Sequence, residues 1–576
     1  MKKIFYTIIA LLLCGTISAQ EYALEIQSDK KVINVGKLGL PPSTTILQII
    51  HMLPEVLSRP GTFTINNYGI QINGTGVGNL SDVVLLQLHA VDVAKIEVCE
   101  SATASFTNNG EGGVINIILT DCDESLLGNI SFDTSHPNTI SPGLHIATKQ
   151  KGWTLTGLFM GEHYNPKAWT YEVNTPGKDD PYDSYEKDIE SDAQIGRVYA
   201  NYKGRNDQVE LVFGESTTNV TTALRGIESK EKTQSLLGHA KYTHLFSDDA
   251  NIKAESEYSY TPTDVDRTSK DANALSFNTE YFQKIGTALT FIGGVTYNHA
   301  WTHIPSAIEK SNHLMPYVKA TAKVGNWDLL AEVDYQYFDY GIRDKNSNGK
   351  LTDYDPHSDV TGMLSASWQF HPHRMLRLVA DRKIQRQNSY TLNPIKLDEV
   401  TLDYIRDIKL ENDMWILNVG GGYIHVSDVF PHTSSPYKSS DIWNLDAMAT
   451  YQHSILTVSL GANLYDSQRD YEGFLSSTCT YYNLSLMPSL TFSNNLYCAL
   501  SLTYNSSVKE LYAEKDDCYY ARMIIGKNWG HWNIHAYGQL NLGGRCTDMQ
   551  YLVQYNQYTT YDLIHNTIGA GVRYNF

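Results

Sequence analysis

One polar segment has residue types and spacing that could bind a metal ion. It runs from Asp344 to Asp355, with oxygen-bearing side chains at alternate positions around Gly349. Hard cations such as Ca²⁺ take oxygen ligands, and a glycine at the sixth position allows the sharp turn of a calcium-binding loop. The candidate metal ligands are Asp344, Asn346, Asn348, Lys350, Thr352 and Asp355. A solvated Asn-Gly loop that binds no metal is the alternative, because only two candidate ligands are carboxylates.

No catalytic motif accompanies this loop. The sequence has no nucleophile elbow, no His-Glu-x-x-His and no phosphate-binding loop, so we expect a protein that is not an enzyme and requires no cofactor. The carboxylate pairs Asp248-Asp249 and Asp516-Asp517 lie in hydrophilic links, where a solubilising role is the simpler interpretation. The net charge of -18 over 576 residues argues against a nucleic-acid partner.

The N-terminus predicts export. Lys2 and Lys3 precede an apolar run, residues 4–13, and small residues around Ala19 follow, which is the order of a secretory signal peptide. We therefore expect residues 1–19 to be removed. A lipid-bearing Cys14 is an alternative that the bulky residue before it disfavours.

Residues 126–576 alternate between apolar and polar side chains, which predicts antiparallel strands. The apolar members of four segments are Trp327, Leu329, Ala331, Val333 and Tyr335; Leu456, Val458, Leu460, Ala462 and Leu464; Trp532, Ile534, Ala536, Leu540 and Leu542; and Ile568, Ala570, Val572, Tyr574 and Phe576. The inward polar partners include Glu332, Asp334, His535 and Tyr537. A soluble β-sandwich also gives such alternation, with its apolar face buried.

The links between segments favour a membrane barrel over a sandwich. Very short links, such as Gly325-Asn326, alternate with long polar ones, such as residues 162–194 and 339–358. Outer-membrane barrels have tight turns at one rim and long loops at the other, with aromatic girdles at the lipid boundary. Counting the segments, which are about 9 to 13 residues long, predicts about 22 strands in a transmembrane antiparallel β-barrel.

Residues 20–125 read differently, as a small α/β domain. Ile46, Ile49, Ile50 and Leu53 share one face of a helix that Pro54 ends. Strand-like segments lie on both sides of this helix. The predicted organisation is a signal peptide (1–19), an α/β domain (20–125) and a barrel (126–576).

The order of these motifs resembles the plug domain of TonB-dependent outer-membrane receptors. The matching segments are residues 30–35 (an opening strand), 46–56 (a helix with its Leu-Pro-Glu-Val turn), 72–74 (Ile-Asn-Gly), 93–98 (Val-Ala-Lys-Ile-Glu-Val) and 110–119 (Gly-Glu-Gly-Gly-Val-Ile-Asn-Ile-Ile-Leu). In the barrel, residues 382–386 and 392–394 resemble the shorter outer-membrane barrels of Bacteroidetes-type bacteria. The resemblance covers the whole chain after the signal peptide.

The resemblance implies a receptor that takes up a scarce solute through the outer membrane of a Gram-negative bacterium. Its partners would be outer-membrane lipids, the inner-membrane TonB complex, a small solute or peptide, and the barrel-assembly machinery through Phe576. Residues 22–26 are the one candidate for a TonB-contacting strand. The alternative is a structural or adhesive surface protein that transports nothing and whose plug seals the barrel.

The cysteines leave the disulfide pattern open. Cys479, Cys518 and Cys546 lie near the predicted outer loops, so one pair could bridge, and free thiols fit equally well. No Cys-x-x-Cys pair supports a zinc or redox site.

Overall fold

The computed structural model describes most of the chain beyond the predicted signal peptide. The described ranges are 24–27, 30–38, 40, 44–50, 68–77, 84–85, 87–99, 113–120, and 126–576 except for 137–138, 166–168, 175–181, 225–226, 267, 345–350, 354–355, 372, 386–394, 411–412, 428–436, 472–476, 510–512, 544–546, 553–556 and 563–565.

Residues 24–120 form a unit around a six-stranded mixed sheet, which we call the plug. Its spatial order is β1-β2-β5-β6-β3-β4, with β3 parallel to β6 and the other neighbours antiparallel. The strands are β1 (Leu24–Ile26), β2 (Lys31–Asn34), β3 (Tyr68–Ile72), β4 (Thr75–Gly76), β5 (Val93–Cys99) and β6 (Gly113–Leu119). The helix α1 spans Ile46–Ile50, and 3₁₀ turns span Val35–Lys37 and Ala90–Asp92.

The predicted helical face lies in the plug core. Ile46, Ile49 and Ile50 are at most 1% exposed. The other two residues of that prediction, Leu53 and Pro54, lie outside the described residues. In the part of the chain that the structure describes, no helix is long and apolar enough to cross a bilayer.

The rest of the chain forms a closed antiparallel barrel of 22 strands, which confirms the predicted fold. The wall strands are β7 (Leu127–His136), β8 (Thr139–Gln150), β9 (Trp153–Tyr164), β11 (Tyr182–Lys203), β12 (Asp207–Leu224), β13 (Ile227–Ser247), β14 (Ala250–Val265), β15 (Thr268–Ile285), β16 (Leu289–His303), β17 (Ala307–Val324), β18 (Trp327–Asp344), β20 (His357–His371), β21 (Arg374–Gln385), β22 (Ile395–Leu410), β23 (Asp413–Ser427), β24 (Tyr437–His453), β25 (Leu456–Tyr471), β26 (Ser477–Thr491), β27 (Leu496–Asn505), β30 (Cys518–Trp529), β31 (Trp532–Gly543) and β34 (Thr567–Asn575). Six short strands lie in the connections: β10 (Trp169–Asn174), β19 (Leu351–Asp353), β28 (Val508–Lys509), β29 (Ala513–Lys515), β32 (Thr547–Leu552) and β33 (Gln557–Asp562).

The alternation of side chains places apolar groups outside the barrel and polar groups inside it. On β31, Trp532 and Ile534 are 47% and 53% exposed, whereas Asn533 and His535 are 4% and 6% exposed. A soluble sandwich would show the reverse, so that alternative is excluded. An apolar exterior with every strand paired is the arrangement that hydrocarbon requires of a spanning sheet.

The wall strands extend further than the sequence pattern predicts. They run from 9 residues in β34 to 22 in β11, and much of the predicted loop 162–194 is strand. Short connections also occur at the rim of the long loops, as between His303 and Ala307. Polar strand ends keep their ladder bonds in water, so the pairing continues past the segment where apolar alternation marks the membrane.

Aromatic side chains form contacts at both rims of the outer surface, as predicted for a girdle. A repeated unit places Tyr and His two residues apart on one strand, with Asp on the neighbouring strand accepting from both. In one example, Tyr242 Oη donates to Asp207 Oδ1 at 2.7 Å and His244 Nδ1 lies 2.8 Å from the same oxygen. The same unit occurs at Tyr423, His425 and Asp441, and at Tyr451, His453 and Asp413.

The barrel closes where its last strand pairs with its first. β34 lies between β31 and β7, and Phe576 continues this seam beyond the strand. The Phe576 amide donates to the Gly128 carbonyl at 2.9 Å, and the Gly128 amide donates back at 3.0 Å. A Cβ at Gly128 would lie 2.7 Å from the Phe576 ring, so the missing side chain makes room for that ring.

Candidate functional site

The candidate site is the contact between the plug and the inner wall of the barrel. One apolar core runs through both parts: plug residues such as Leu85 pack in the same cluster as the wall residues Met160, Tyr199 and Ile416. Three polar contacts then fix the position of the plug. These contacts hold the plug against the wall.

The first contact is a buried ion pair between Asp92 of the plug and Arg573 of β34. Arg573 Nη1 donates to Asp92 Oδ2 at 2.8 Å, and Nη2 contacts the other carboxylate oxygen. Asn129 Nδ2 donates to Asp92 Oδ1 at 3.0 Å, and the backbone amide of His89 donates to Oδ2 at 3.1 Å. Both side chains are almost fully buried, so each charge depends on the other for compensation.

This environment fixes the protonation states of the plug groups. Burial alone would raise the pKa of Asp92, but the charge of Arg573 and hydrogen bonds from His145 and Arg573 hold it well below its usual range. Burial lowers the pKa of His89 to about 4, and the charge of Arg573 acts in the same direction. Asp92 is therefore ionised and His89 neutral at pH 7.

The second contact joins the plug strand β2 to the wall. Lys31 Nζ lies 3.4 Å from Asp403 Oδ1 on β22, and Arg377 of β21 donates to Asp403 Oδ2 from Nε at 2.9 Å and Nη2 at 2.7 Å. All three side chains are at most 5% exposed. One wall carboxylate thus holds a plug lysine and a wall arginine together.

The third contact holds the β3–β4 hairpin of the plug. Arg197 of β11 donates from Nη1 to the Thr75 carbonyl at 3.2 Å and from Nη2 to the Gly76 carbonyl at 2.5 Å. Gln87 Nε2 adds a bond to the carbonyl of Gly161 on β9 at 2.6 Å. A charged donor on two backbone carbonyls is stronger than a neutral hydrogen bond, so the hairpin is fixed at the sheet edge.

The inward polar residues predicted from alternation are found on the inner wall. Glu332 and Asp334 are 3% and 5% exposed. His535 Nε2 lies 2.8 Å from Asp133 Oδ1, and its ring lies 6.2 Å from the ring of His89. His535 therefore lies against the plug.

The predicted calcium loop lies mostly outside the described residues. The backbone of Asp344 ends β18, and Leu351–Asp353 form β19, which pairs with β18 so that Arg343 opposes Leu351. Among the residues that the structure describes, no group of three or more His, Cys, Asp or Glu side chains could hold a metal ion.

The cysteine alternatives are partly resolved. Cys518 is disulfide-bonded, whereas Cys99, Cys479 and Cys498 carry thiols. A bridge between Cys479 and Cys518 is therefore excluded. The remaining outer-loop candidate, Cys546, lies outside the described residues.

Solved outer-membrane receptors share this architecture over their whole length. The FrpB iron transporter from Neisseria meningitidis (F5-1 variant) has a TM-score of 0.70 and 11% identity, covering 96% of this chain and 100% of its own. The ferric yersiniabactin uptake receptor FyuA from Yersinia pestis gives 0.69 and 12%, covering 95% and 98%. The siderophore receptor PirA from Pseudomonas aeruginosa gives 0.65 and 12%, covering 96% and 100%. No family model matches the sequence, and no curated protein matches it.

These comparisons confirm the predicted resemblance at the level of the fold. The similar structures are named as transporters and receptors, which agrees with the expectation that this protein is not an enzyme. At identities near one in ten they carry no information about the solute. The Bacteroidetes-type subgroup and the signal peptide remain predictions.

Proposed function

We propose that this protein is a TonB-dependent receptor of the Gram-negative outer membrane that takes up a scarce solute. The observation that carries the proposal is a plug bonded inside a closed 22-strand barrel, over the full length of structures named as iron and siderophore receptors. The apolar exterior supports the lipid partner. The short-turn rim then faces the periplasm, and the long loops face the medium.

The plug topology supports a route for energised opening. β1 is an edge strand that pairs with β2 over Leu24–Ile26, so the described part of the predicted TonB-contacting segment lies in the sheet of the plug. A partner strand could add at its open edge. A pulling force on the N-terminal end of the plug acts first on the three residue pairs between β1 and β2. It acts next on β2, which the Lys31–Asp403 ion pair holds to the wall.

Deletion of residues 22–28 tests this function. In cells that depend on the protein for growth on a limiting solute, the deletion should abolish uptake while surface binding of the solute and barrel assembly persist. The control replaces Lys323 by Gln and Asp328 by Asn, which removes an exposed ion pair beside one of the short turns. Normal uptake by the 22–28 deletion would favour the alternative of a sealed structural or adhesive surface protein.

A calcium ion in the loop from Asp344 to Asp355 is a separate part of the proposal. β19 pairs with β18 and so closes a hairpin, and three of the six candidate ligands lie in its connection. Isothermal titration of the purified protein should show one Ca²⁺ site, and Asp344→Asn with Asp355→Asn should remove it. Absence of heat with the unmodified protein would identify the loop as a solvated turn.

The last strand supports the barrel-assembly machinery as a partner. The amide and carbonyl of Phe576 are hydrogen-bonded to Gly128 at the seam. These two bonds form only when the barrel closes. Before closure, the same strand edge and terminal ring are available to a folding factor. Replacement of Phe576 by Ser should lower the yield of assembled barrel in cells without changing that of protein refolded in detergent.

A further inference from the structure

The polar contacts between plug and wall described above occupy only part of the inner wall. They come from β7, β8, β9, β11, β22 and β34. A cavity of about 900 Å³ lies between the plug and the wall, mainly along β12–β17. It reaches the short-turn rim at Gly152 and Lys203.

Charged side chains of both signs line the wall side of this cavity, and four of them form two ion pairs. Lys241 Nζ lies 3.5 Å from Glu210 Oε2, with side chains 34% and 23% exposed. Lys253 Nζ lies 3.1 Å from Glu255 Oε2, with side chains 19% and 25% exposed. Because each partner keeps some exposed surface, a solute in the cavity can reach both charges of a pair.

The plug side of the cavity offers neutral hydrogen-bonding groups. The turn Asn73-Gly74 has φ values of 49° and 84°, the left-handed region that this pair tolerates. It is tied to β6, since the Gly74 amide donates to Asn116 Oδ1 at 2.8 Å and the Leu119 amide donates to Asn73 Oδ1 at 3.0 Å. The charge selectivity of the cavity therefore comes from the wall.

The paired wall charges discriminate among solutes. A solute with one charge can bind a member of these two pairs only by weakening its ion pair, which leaves the opposite charge of that pair with less compensation. A solute with both charges can insert between a lysine and a glutamate and compensate each of them. The wall thus favours dipolar solutes over simple anions or cations.

We propose that this cavity is the inner section of the solute route and binds a small dipolar solute with separate cationic and anionic groups, such as a short unblocked peptide. The statement that the cavity lies on the solute route rests on the proposed transport function. The preference for dipolar solutes does not. The solute passes beside the Asn73-Gly74 turn and away from the Lys31–Asp403 contact.

Calorimetry of the purified full-length protein tests the binding preference with three matched probes. Triglycine carries both charges, N-acetyltriglycine only the negative one, and triglycine amide only the positive one. We expect triglycine to bind at least about tenfold more tightly than either blocked peptide. Equal binding of a blocked peptide, or no binding of triglycine, would overturn the proposal.

Two tryptophan variants locate the site. Ser276 lines the cavity, and Thr279 lies on the opposite face of the same strand, in register with the exposed Phe277 and Tyr281. Ser276→Trp should abolish triglycine binding, and Thr279→Trp should leave it unchanged. Loss in both variants, or in neither, would place the binding elsewhere.

A charge variant separates this proposal from the transport function. Lys241→Gln combined with Glu210→Gln removes one wall pair while keeping the net charge, and should reduce the preference for triglycine at least threefold. An unchanged preference for triglycine would refute the role of the wall ion pairs. If triglycine binds as expected but cells take up no solute through the protein, the transport function fails and the binding site stands.

Discussion

Replacement of Asp92 by Asn should release the plug from the wall without unfolding the barrel. Asparagine keeps the size of the side chain but removes its charge. Its amide nitrogen also replaces one of the two oxygens, so that a hydrogen-bond donor stands where the surrounding groups donate. Arg573 then remains buried with no carboxylate in contact, because Asp92 supplies both carboxylate oxygens that its guanidinium meets.

The magnitude follows from the burial of the pair. Both side chains are 5–6% exposed, and removing one partner of such a pair costs about 3–5 kcal/mol because the other charge is left uncompensated. In the released state Arg573 is hydrated, so most of this cost appears as a weaker docking equilibrium. The expected shift toward the released plug is on the order of 10²- to 10³-fold.

Hydrogen–deuterium exchange of the protein in lipid nanodiscs measures this shift. Amides of β5 (Val93–Cys99) should exchange faster in Asp92→Asn by about the same factor, while wall amides keep their protection. Asp328→Asn is the control, since Asp328 belongs to an exposed ion pair with Lys323. Addition of Arg573→Gln to Asp92→Asn should restore much of the protection; exchange of the single variant within about threefold of the parent protein would refute the reasoning.

Three further variants test other contacts. The pKa of His89 is lowered to about 4 in the docked plug, so acidification from about 6.5 to about 4 should weaken docking by about 3 kcal/mol, as the released histidine takes up a proton that the docked one does not; His89→Gln should flatten this profile of exchange against pH. Gly128→Ala places a Cβ 2.6–2.8 Å from the His145 carbonyl and the Phe576 ring, and should lower several-fold the fraction of heat-modifiable, folded barrel on gels, whereas Gly238→Ala, with open space at its Cβ, should not. Arg197→Gln should raise exchange of the β3–β4 hairpin about 10- to 100-fold and leave β5 unchanged, and equal effects on both strands would contradict a local clamp.

The barrel was predictable because its signal is local and repeated. Successive residues of a strand point to opposite faces of the sheet. Trp532 and Asn533 can therefore be assigned to the outer and inner face without knowledge of the partner strand. Strand number follows from counting segments. Strand length was underestimated because polar ends such as those of β11 pair in water, where no alternation marks them.

The contacts that hold the plug were not predictable from one sequence. Asp92 and Arg573 are 481 positions apart, and Lys31 and Asp403 are 372 apart. Parity placed Arg573 inside the barrel, but which plug group meets it depends on how the plug sits in the lumen. The same holds for Arg197, because its partners are backbone carbonyls. Every residue type has a carbonyl, so the sequence does not indicate which ones Arg197 contacts.

The ring of strands is completed when β34, the last strand of the barrel in sequence order, pairs with β7, the first. Until Phe576 and β34 arrive, β31 and β7 are two open edges, each able to pair with another chain. A chain that ends before β34 therefore keeps two unpaired strand edges. A protease or folding factor can recognise these edges, which the closed barrel does not have. Closure thus distinguishes a chain that contains β34 from one that lacks it, and a chain shortened before β34 should be cleared rather than inserted.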